Sequence, residues 1–352
     1  GVDNIIYLSS VVLIAITAGY WMLFHGKARV FALAALPVAL LLVPDKLPSV
    51  TRPDGTEVRL LLNSDSAYGQ IKVVDYAYGD TRLREFLLEN MVQGGMDVNT
   101  GLSISKYTYY IEHLANSYRK DAQRALVIGL GSGIIPGRFL EHYNIKTDVV
   151  EINPGVVETA GRYFSYDKSA HYTFTGDGRI FLKMDKSPYD IIVLDAFSGD
   201  TPPSHLISME AFALMDKRLT EDGVLLINFV GSNQPEDSGV PASLHRTLRE
   251  VFPRVDVYAS PAYSLKDPMV VNLIFAASKK LTPLPEPPAV RPPVYPPFAD
   301  DVSGLLERKV YFENGPYLFT DDYNPVDFAD LRTREAFRYS TVSTADREIV
   351  AY

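Results

Sequence analysis

Residues 125–133 read Ala-Leu-Val-Ile-Gly-Leu-Gly-Ser-Gly, an apolar run of strand length followed by the turn Gly129-Leu-Gly131-Ser-Gly133. A glycine turn between a strand and a helix lets the backbone approach a ligand closely and aims helix N–H groups at it. Alone the turn is a weak signal, because ligand-free tight turns use the same residues. Its weight comes from three segments downstream. VVEINP carries Glu151, TGDGRIFL carries Asp177-Gly178, and IIVLDAFSGD carries Asp195 and Asp200. Glu151, Asp177 and Asp195 each end or follow a short apolar run. Residues at the carboxyl edge of a parallel sheet do the same, and open α/β sheets bind nucleotides at that edge.

Working outward, residues 120–280 alternate apolar runs with helical stretches, the pattern of a doubly wound parallel sheet. The strand candidates are Ala125–Gly129, Thr147–Ile152, Ile191–Asp195, Val224–Val230 and Val270–Ala276. Residues 48–118 read as a small β-rich unit with strands at Val58–Leu62, Ile71–Val74 and Arg84–Leu88, closed by a helix over Lys106–Ser117. Lys280–Phe298 is rich in proline and is expected to be extended rather than helical. It ties on a C-terminal piece with a short helix at Asp301–Lys309 and the turn Thr320-Asp-Asp-Tyr-Asn-Pro325.

The amino-terminal end is of a different kind. Ile5–Phe24 is a stretch of 20 residues without a charge, long enough as a helix to cross a hydrocarbon core of about 30 Å. A second apolar run, Val30–Val43, has 14 residues and contains Pro37. That length is marginal for a span, and a re-entrant or interfacial segment is the competing reading. Lys27 and Arg29 can extend it by snorkelling, which favours a hairpin of two helices. Lys and Arg on the two sides are nearly balanced, so the positive-inside rule does not orient it. Four units are therefore expected: a transmembrane hairpin over 1–47, a β-rich domain over 48–118, a Rossmann-like nucleoside-binding domain over 119–280, and a linker with C-terminal segment over 281–352.

Composition narrows the function. A net charge of -9 argues against a broad nucleic-acid-binding face, which needs clustered Lys and Arg. With no cysteine there is no disulfide framework and no thiolate nucleophile or metal ligand. The 6 histidines do not cluster at metal-ligand spacing, and no metal site is expected. At a strand end, Glu151 is placed to accept hydrogen bonds from ribose hydroxyls. Asp177 is either the N-cap of a helix over Arg179–Met184 or an acceptor for an adenine amino group. Asp195 follows the most apolar of the short strands and faces the ligand crevice, where burial adjusts a carboxyl pKa. Asp200 and His205 lie beyond it on a loop with Pro202 and Pro203, a lid or a plain turn.

Several segments resemble the spermidine synthase family, the polyamine aminopropyltransferases. Ser66-Ala-Tyr68-Gly-Gln70-Ile71 is similar to its early Tyr-Gln segment, Leu88-Glu-Asn-Met-Val-Gln93 to its Leu-Asp-Gly-x-x-Gln, and Tyr110-Ile-Glu112-His-Leu114 to its Tyr-His-Glu-x-Leu helix. The forms DAFSGD…HL and TDDYNP look most like bacterial membrane-fused members, which carry hydrophobic helices ahead of the synthase-like domain. The resemblance implies an α/β, class I methyltransferase-like fold. It implies that Gln70 and Glu151 hold the nucleoside and Asp177-Gly178 the adenine, with Gly129, Gly131 and Gly133 forming the turn beneath. Asp195 and Asp200 become the candidate catalytic residues, with Asp195 as base or orienting carboxylate for an attacking amine. The implied donor is S-adenosylmethionine or its decarboxylated form.

The chain departs from the family pattern at Ser132, where an Asp is usual, at Ile111, where a His is usual, and in the longer Asp195-Ala-Phe-Ser-Gly-Asp200. These departures open a second reading, an accessory subunit of a larger membrane complex that has kept the fold and lost the reaction. The expected partners are a lipid bilayer, membrane proteins or a second copy, and a small amine. The expected location is a bacterial inner membrane with the main domain cytoplasmic.

Overall fold

The computed structural model describes residues 9–16, 19, 20, 23, 47–197, 202–261, 270–281, 292–313, 315–329 and 331–344. Most of the two apolar runs lies outside the described residues, as does Asp200. Among the described residues no helix is long and apolar enough to cross a membrane.

Two sheets make up the body. The first is a five-stranded antiparallel meander of β1 (Ser49–Thr51), β2 (Glu57–Ser66), β3 (Gly69–Tyr78), β4 (Thr81–Leu88) and β5 (Met91–Asp97). The β4–β5 turn holds Glu89 and Asn90 at φ of 52° and 63°. Asparagine tolerates this left-handed region better than most residues. The turn therefore keeps its shape where the resembling motif has glycine.

The second sheet has eight strands in the order β13-β11-β12-β10-β9-β6-β7-β8. Its parallel half comprises β6 (Arg124–Ile128), β7 (Lys146–Glu151), β8 (Tyr172–Thr175), β9 (Tyr189–Leu194) and β10 (Leu219–Gly231). The other half, β11 (Arg254–Pro261), β12 (Val271–Ser278) and β13 (Lys309–Val310), runs antiparallel. The expected doubly wound parallel sheet is thus found in one half, and Val270–Ala276 falls in the antiparallel half. An apolar run such as Val271–Ser278 satisfies its backbone equally well in either direction, so its pattern does not encode polarity.

Helices cover both faces of this sheet. On one side Ile135 and Phe139 of α2 (Ile134–Tyr143) join Tyr109, Tyr110, Ile111 and Leu114 of α1 (Lys106–Tyr118) over Ala125, Val127, Ile191 and Val193. The small unit docks through α3 (Pro154–Tyr163), where Ile71, Val73 and Phe86 meet Val156, Val157 and Ala160. On the opposite face of the sheet lie α4 (Gly178–Met184), α5 (Met209–Arg218) and α6 (Gly239–Arg249). The alternation of side chains along each strand sends neighbours to opposite faces, which is why both layers are apolar.

Two placements differ from the expectations. Helix α1 was expected to close the β-rich unit, but its buried face packs on the large sheet. The helix expected over Asp301–Lys309 is a short α7 (Ala299–Ser303), a 3-10 turn at Leu305–Glu307 and the edge strand β13. Gly304 interrupts it, and Lys309-Val310 pair with β11 instead. The chain then continues through α8 (Val326–Ala329) into α9 (Leu331–Thr344).

Candidate functional site

The parallel register lines up the ends of four strands: Ile128 lies beside Val150 and beside Leu194, and Glu151 beside Thr175. Above this edge is a cavity of about 980 Å³ walled by both sheets and by the C-terminal segment. Gly129, Gly131, Glu151, Asp177, Gly178 and Asp195 all line it.

The glycine turn is forced by close packing. Gly129 sits at φ 95°, and a Cβ there would run into the main chain of Asp195 and Ala196. The same contact fixes Asp195, whose N–H donates to the Ile128 carbonyl at 2.9 Å. Gly133, at φ 77°, precedes α2, and a Cβ there would strike the ring of Tyr166. Ser132 is buried, and its Oγ stands where a side chain on Gly94 of β5 would fall. It packs the two sheets together.

Glu151 is held by backbone. One oxygen accepts from the Leu130 N–H at 2.9 Å and the other from the Asn153 N–H at 2.8 Å. Burial pushes its carboxyl above the ordinary range, while the N–H groups of Asn153 and Leu130 pull the other way. Each oxygen keeps a lone pair for a ligand hydroxyl, so the residues fit a ribose. Asp177 caps α4 through the Ile180 N–H at 2.8 Å, which bears out the N-cap reading. Its other oxygen lies 2.8 Å from His205 Nε2. Burial would raise this carboxyl, but the Ile180 N–H and His205 outweigh it and hold it low. Any further donor to that oxygen must share it with His205.

On the other side of the turn the pieces come from far apart in sequence. Asn228 follows Ile227, which lies opposite Leu194, and so falls beside Asp195. Its Nδ2 donates to Asp195 Oδ1 at 2.8 Å, while its own Oδ1 accepts from Asn272 Nδ2 at 2.9 Å. Tyr107, in the first turn of α1, donates its hydroxyl to Asp195 Oδ2 at 3.1 Å. Burial pushes the Asp195 carboxyl up to about 7, more than the Asn228 and Tyr107 bonds lower it. A carboxyl poised near neutrality is suited to accepting a proton there.

The C-terminal segment completes this end of the cavity. Tyr295, Phe298, Asp327 and Phe337 line it. The Tyr295 N–H bonds the Tyr109 hydroxyl at 3.2 Å, Asp301 pairs with Lys106, and Arg138 donates to the Pro293 carbonyl at 2.9 Å. At the nucleoside end, Arg179 and Ser208 both bond Asp321, the latter at 2.6 Å.

Two of the expected positions are not among the residues that line the cavity. Gln70 does not line the cavity; its N–H donates to Glu89 Oε1 at 2.7 Å, closing one hairpin against the other, while Gln93 does line it. Gly133 packs beneath the turn without reaching the cavity wall. Ile111 is fully buried in the layer under the sheet, so the departure there replaces a core side chain rather than a cavity group. Glu112 is buried as well and pairs with Arg138 at 2.6 Å; burial lifts its carboxyl to about 7 against the pull of Arg138. Sequence reading passed over Tyr107, Asn228 and Asn272. A lone asparagine inside Val224-Leu-Leu-Ile-Asn-Phe-Val230 was the one available signal, since a buried amide needs a partner.

These features define a class I methyltransferase-like fold with a cavity at its sheet edge. Residues 104–282, just over half of the chain, match the model of the Spermine/spermidine synthase domain, and the chain belongs to that family. It is 38% identical over 121 residues to a polyamine aminopropyltransferase of Vibrio vulnificus, covering 33% of this chain and 40% of that one. It is 32% identical over 167 residues to an N-terminal histidine N-methyltransferase of Emericella nidulans, covering 46% of this chain and 29% of that one. The chain thus spans less than half the length of these relatives. In fold it is similar to a spermidine synthase of Thermotoga maritima, with a TM-score of 0.53 at 18% identity over 84% of this chain and 88% of that one.

Proposed function

We propose that this chain transfers an alkyl group from an adenosyl sulfonium donor to an amine, with aminopropyl transfer from decarboxylated S-adenosylmethionine as the first reading. The observation that carries it is Asp195: a carboxyl near neutrality, oriented by Tyr107 and Asn228, beside a turn that seats a nucleoside. When bound, the donor supplies a carbon already activated by positive sulfur. The amine lone pair forms the new N–C bond, the C–S bond breaks with its electrons passing to sulfur, and the nitrogen sheds a proton. An alkyl ammonium titrates near 10 and must lose a proton before it can attack. Asp195 takes that proton, and the Gly129 contact fixes the base relative to the donor.

Methyl transfer from intact S-adenosylmethionine is the second reading, supported by the likeness to a histidine N-methyltransferase. The test is to incubate the protein with each donor and a panel of amines, then follow methylthioadenosine and S-adenosylhomocysteine. Amine-dependent release of either, lost in Asp195→Asn, is the expected result. No release from either donor, together with constant co-purification of the same membrane proteins, would instead support the accessory-subunit reading. That reading has lost one of its grounds, since Ile111 and Ser132 are packing residues here.

The finer proposal is that residues 5–43 anchor the chain in an inner membrane with the main domain cytoplasmic. The 20-residue uncharged run supports it, and its described residues Leu13, Ile16 and Leu23 are exposed apolar side chains. Extraction by detergent but not by alkaline carbonate checks the anchor, and protease protection checks the side.

A further inference from the structure

An alkylation site for simple diamines should present anionic or neutral groups to its ligand, yet a lysine lines this cavity. Lys106 opens α1 directly before Tyr107, and its side chain is only 6% exposed. Its ammonium pairs with Asp301 and lies 5.6 Å from the centre of the Phe298 ring. The same Asp301 also pairs with Arg308 at 2.5 Å. One carboxylate thus answers two cations, and the cluster carries a net positive charge against the cavity wall. The neighbouring wall at this end holds the neutral Asn228, Asn272 and Ser260 with two acids, Asp195 and Asp327, the latter already paired with Arg334 at 3.7 Å. A second ammonium gains nothing beside Lys106, whereas a carboxylate finds an ammonium already held in place. The acids Glu85 and Glu89 lie on the β-rich wall of the cavity and are the competing anchors for a polyamine.

We infer that Lys106 forms a carboxylate-binding subsite, so that the cavity takes a ligand bearing an α-amino-acid carboxylate. This rests on the alkyl-transfer reading and decides between its forms. The carboxylate can belong to the donor, as the methionyl tail of S-adenosylmethionine, or to the acceptor, as an amino acid with a second amine. Lys106 acts here as a specificity-determining residue and leaves proton transfer to Asp195.

Calorimetry on the whole chain has two arms. The donor arm compares S-adenosylmethionine with its decarboxylated form. The acceptor arm compares ornithine with putrescine, which differ by one carboxylate, on protein loaded with methylthioadenosine. In at least one arm the carboxylate-bearing member should bind about tenfold or more tightly. Lys106→Met should erase that preference, Lys106→Arg retain it, and Asp301→Asn widen it by freeing the ammonium. A latch with no role in specificity would instead make Lys106→Met and Asp301→Asn weaken both members of each pair equally. That result overturns the inference, as does a preference in neither arm or one that survives Lys106→Met. Failure to bind methylthioadenosine or either donor would sink the nucleoside reading itself, whereas nucleoside binding without a carboxylate preference sinks this inference alone.

Discussion

The two halves of the cavity are built by different means. The nucleoside half is held by backbone close in sequence: Glu151 leans on the N–H groups of Leu130 and Asn153, and Asp177 on that of Ile180. The acceptor half is a web of side chains in which Asp195 meets partners 33 and 88 residues away, and Lys106 one 195 away. A seat made of main chain tolerates drift in its side chains, while a web of side chains can be retuned one residue at a time. Under the proposed function, the donor side of the cavity is the constant part and the acceptor side the part free to change.

If that contrast is right, the largest effect falls on Asp195. Asp195→Asn should lower turnover by about 10²–10⁴-fold while adenosyl ligands bind within about twofold of wild type, measured by product release and calorimetry. In wild type, kcat/KM should rise about tenfold per pH unit up to about 7 and then level, because the base must be ionised. A profile without that limb would break the assignment.

Glu151→Gln should do the reverse. It removes one charged acceptor from the ribose seat, so binding of methylthioadenosine should weaken about ten- to a hundredfold with little change in kcat at saturation. Equal losses in kcat and affinity would erase the division between the halves.

A smaller effect concerns stability. Asp195 titrates near 7 when folded against an ordinary 3.8, so between those values the folded protein holds a proton that the unfolded chain has released. Its contribution therefore falls as pH rises through that window. Thermal melts should show Asp195→Asn gaining on wild type by at least about 2 °C between pH 5 and pH 8. The smallest expected effect is from Tyr107→Phe. Losing a hydrogen bond that lowers the Asp195 carboxyl should move the midpoint of the pH–rate profile upward by a fraction of a unit, with donor binding unchanged.

The same contrast explains what could be read from the chain. Gly129, Glu151, Asp177 and Asp195 were legible because each ends a short apolar run, and a strand end is a local signal. Tyr107 and Asn272 were not, since nothing near them in sequence records a partner on another element. Ile111 looked like a lost substrate group until the sheet beneath α1 showed which helix face is covered. The bond from the Gln70 main-chain N–H to Glu89 was not legible either, since it joins two turns 19 residues apart. The antiparallel half of the large sheet stayed hidden because apolar runs carry no direction.

The C-terminal wall has a consequence in time. Synthesis runs from the amino end, and the strands from β6 to β10 with their glycine turn emerge well before Tyr295, Asp301 and Asp321. A nascent chain can therefore assemble the donor seat while the cavity still stands open on the side of α1. Only after Asp301 and Asp321 have themselves left the ribosome can they reach Lys106 and Arg179. Chains lacking Asp301 and Asp321 would present a pocket without these two ion pairs.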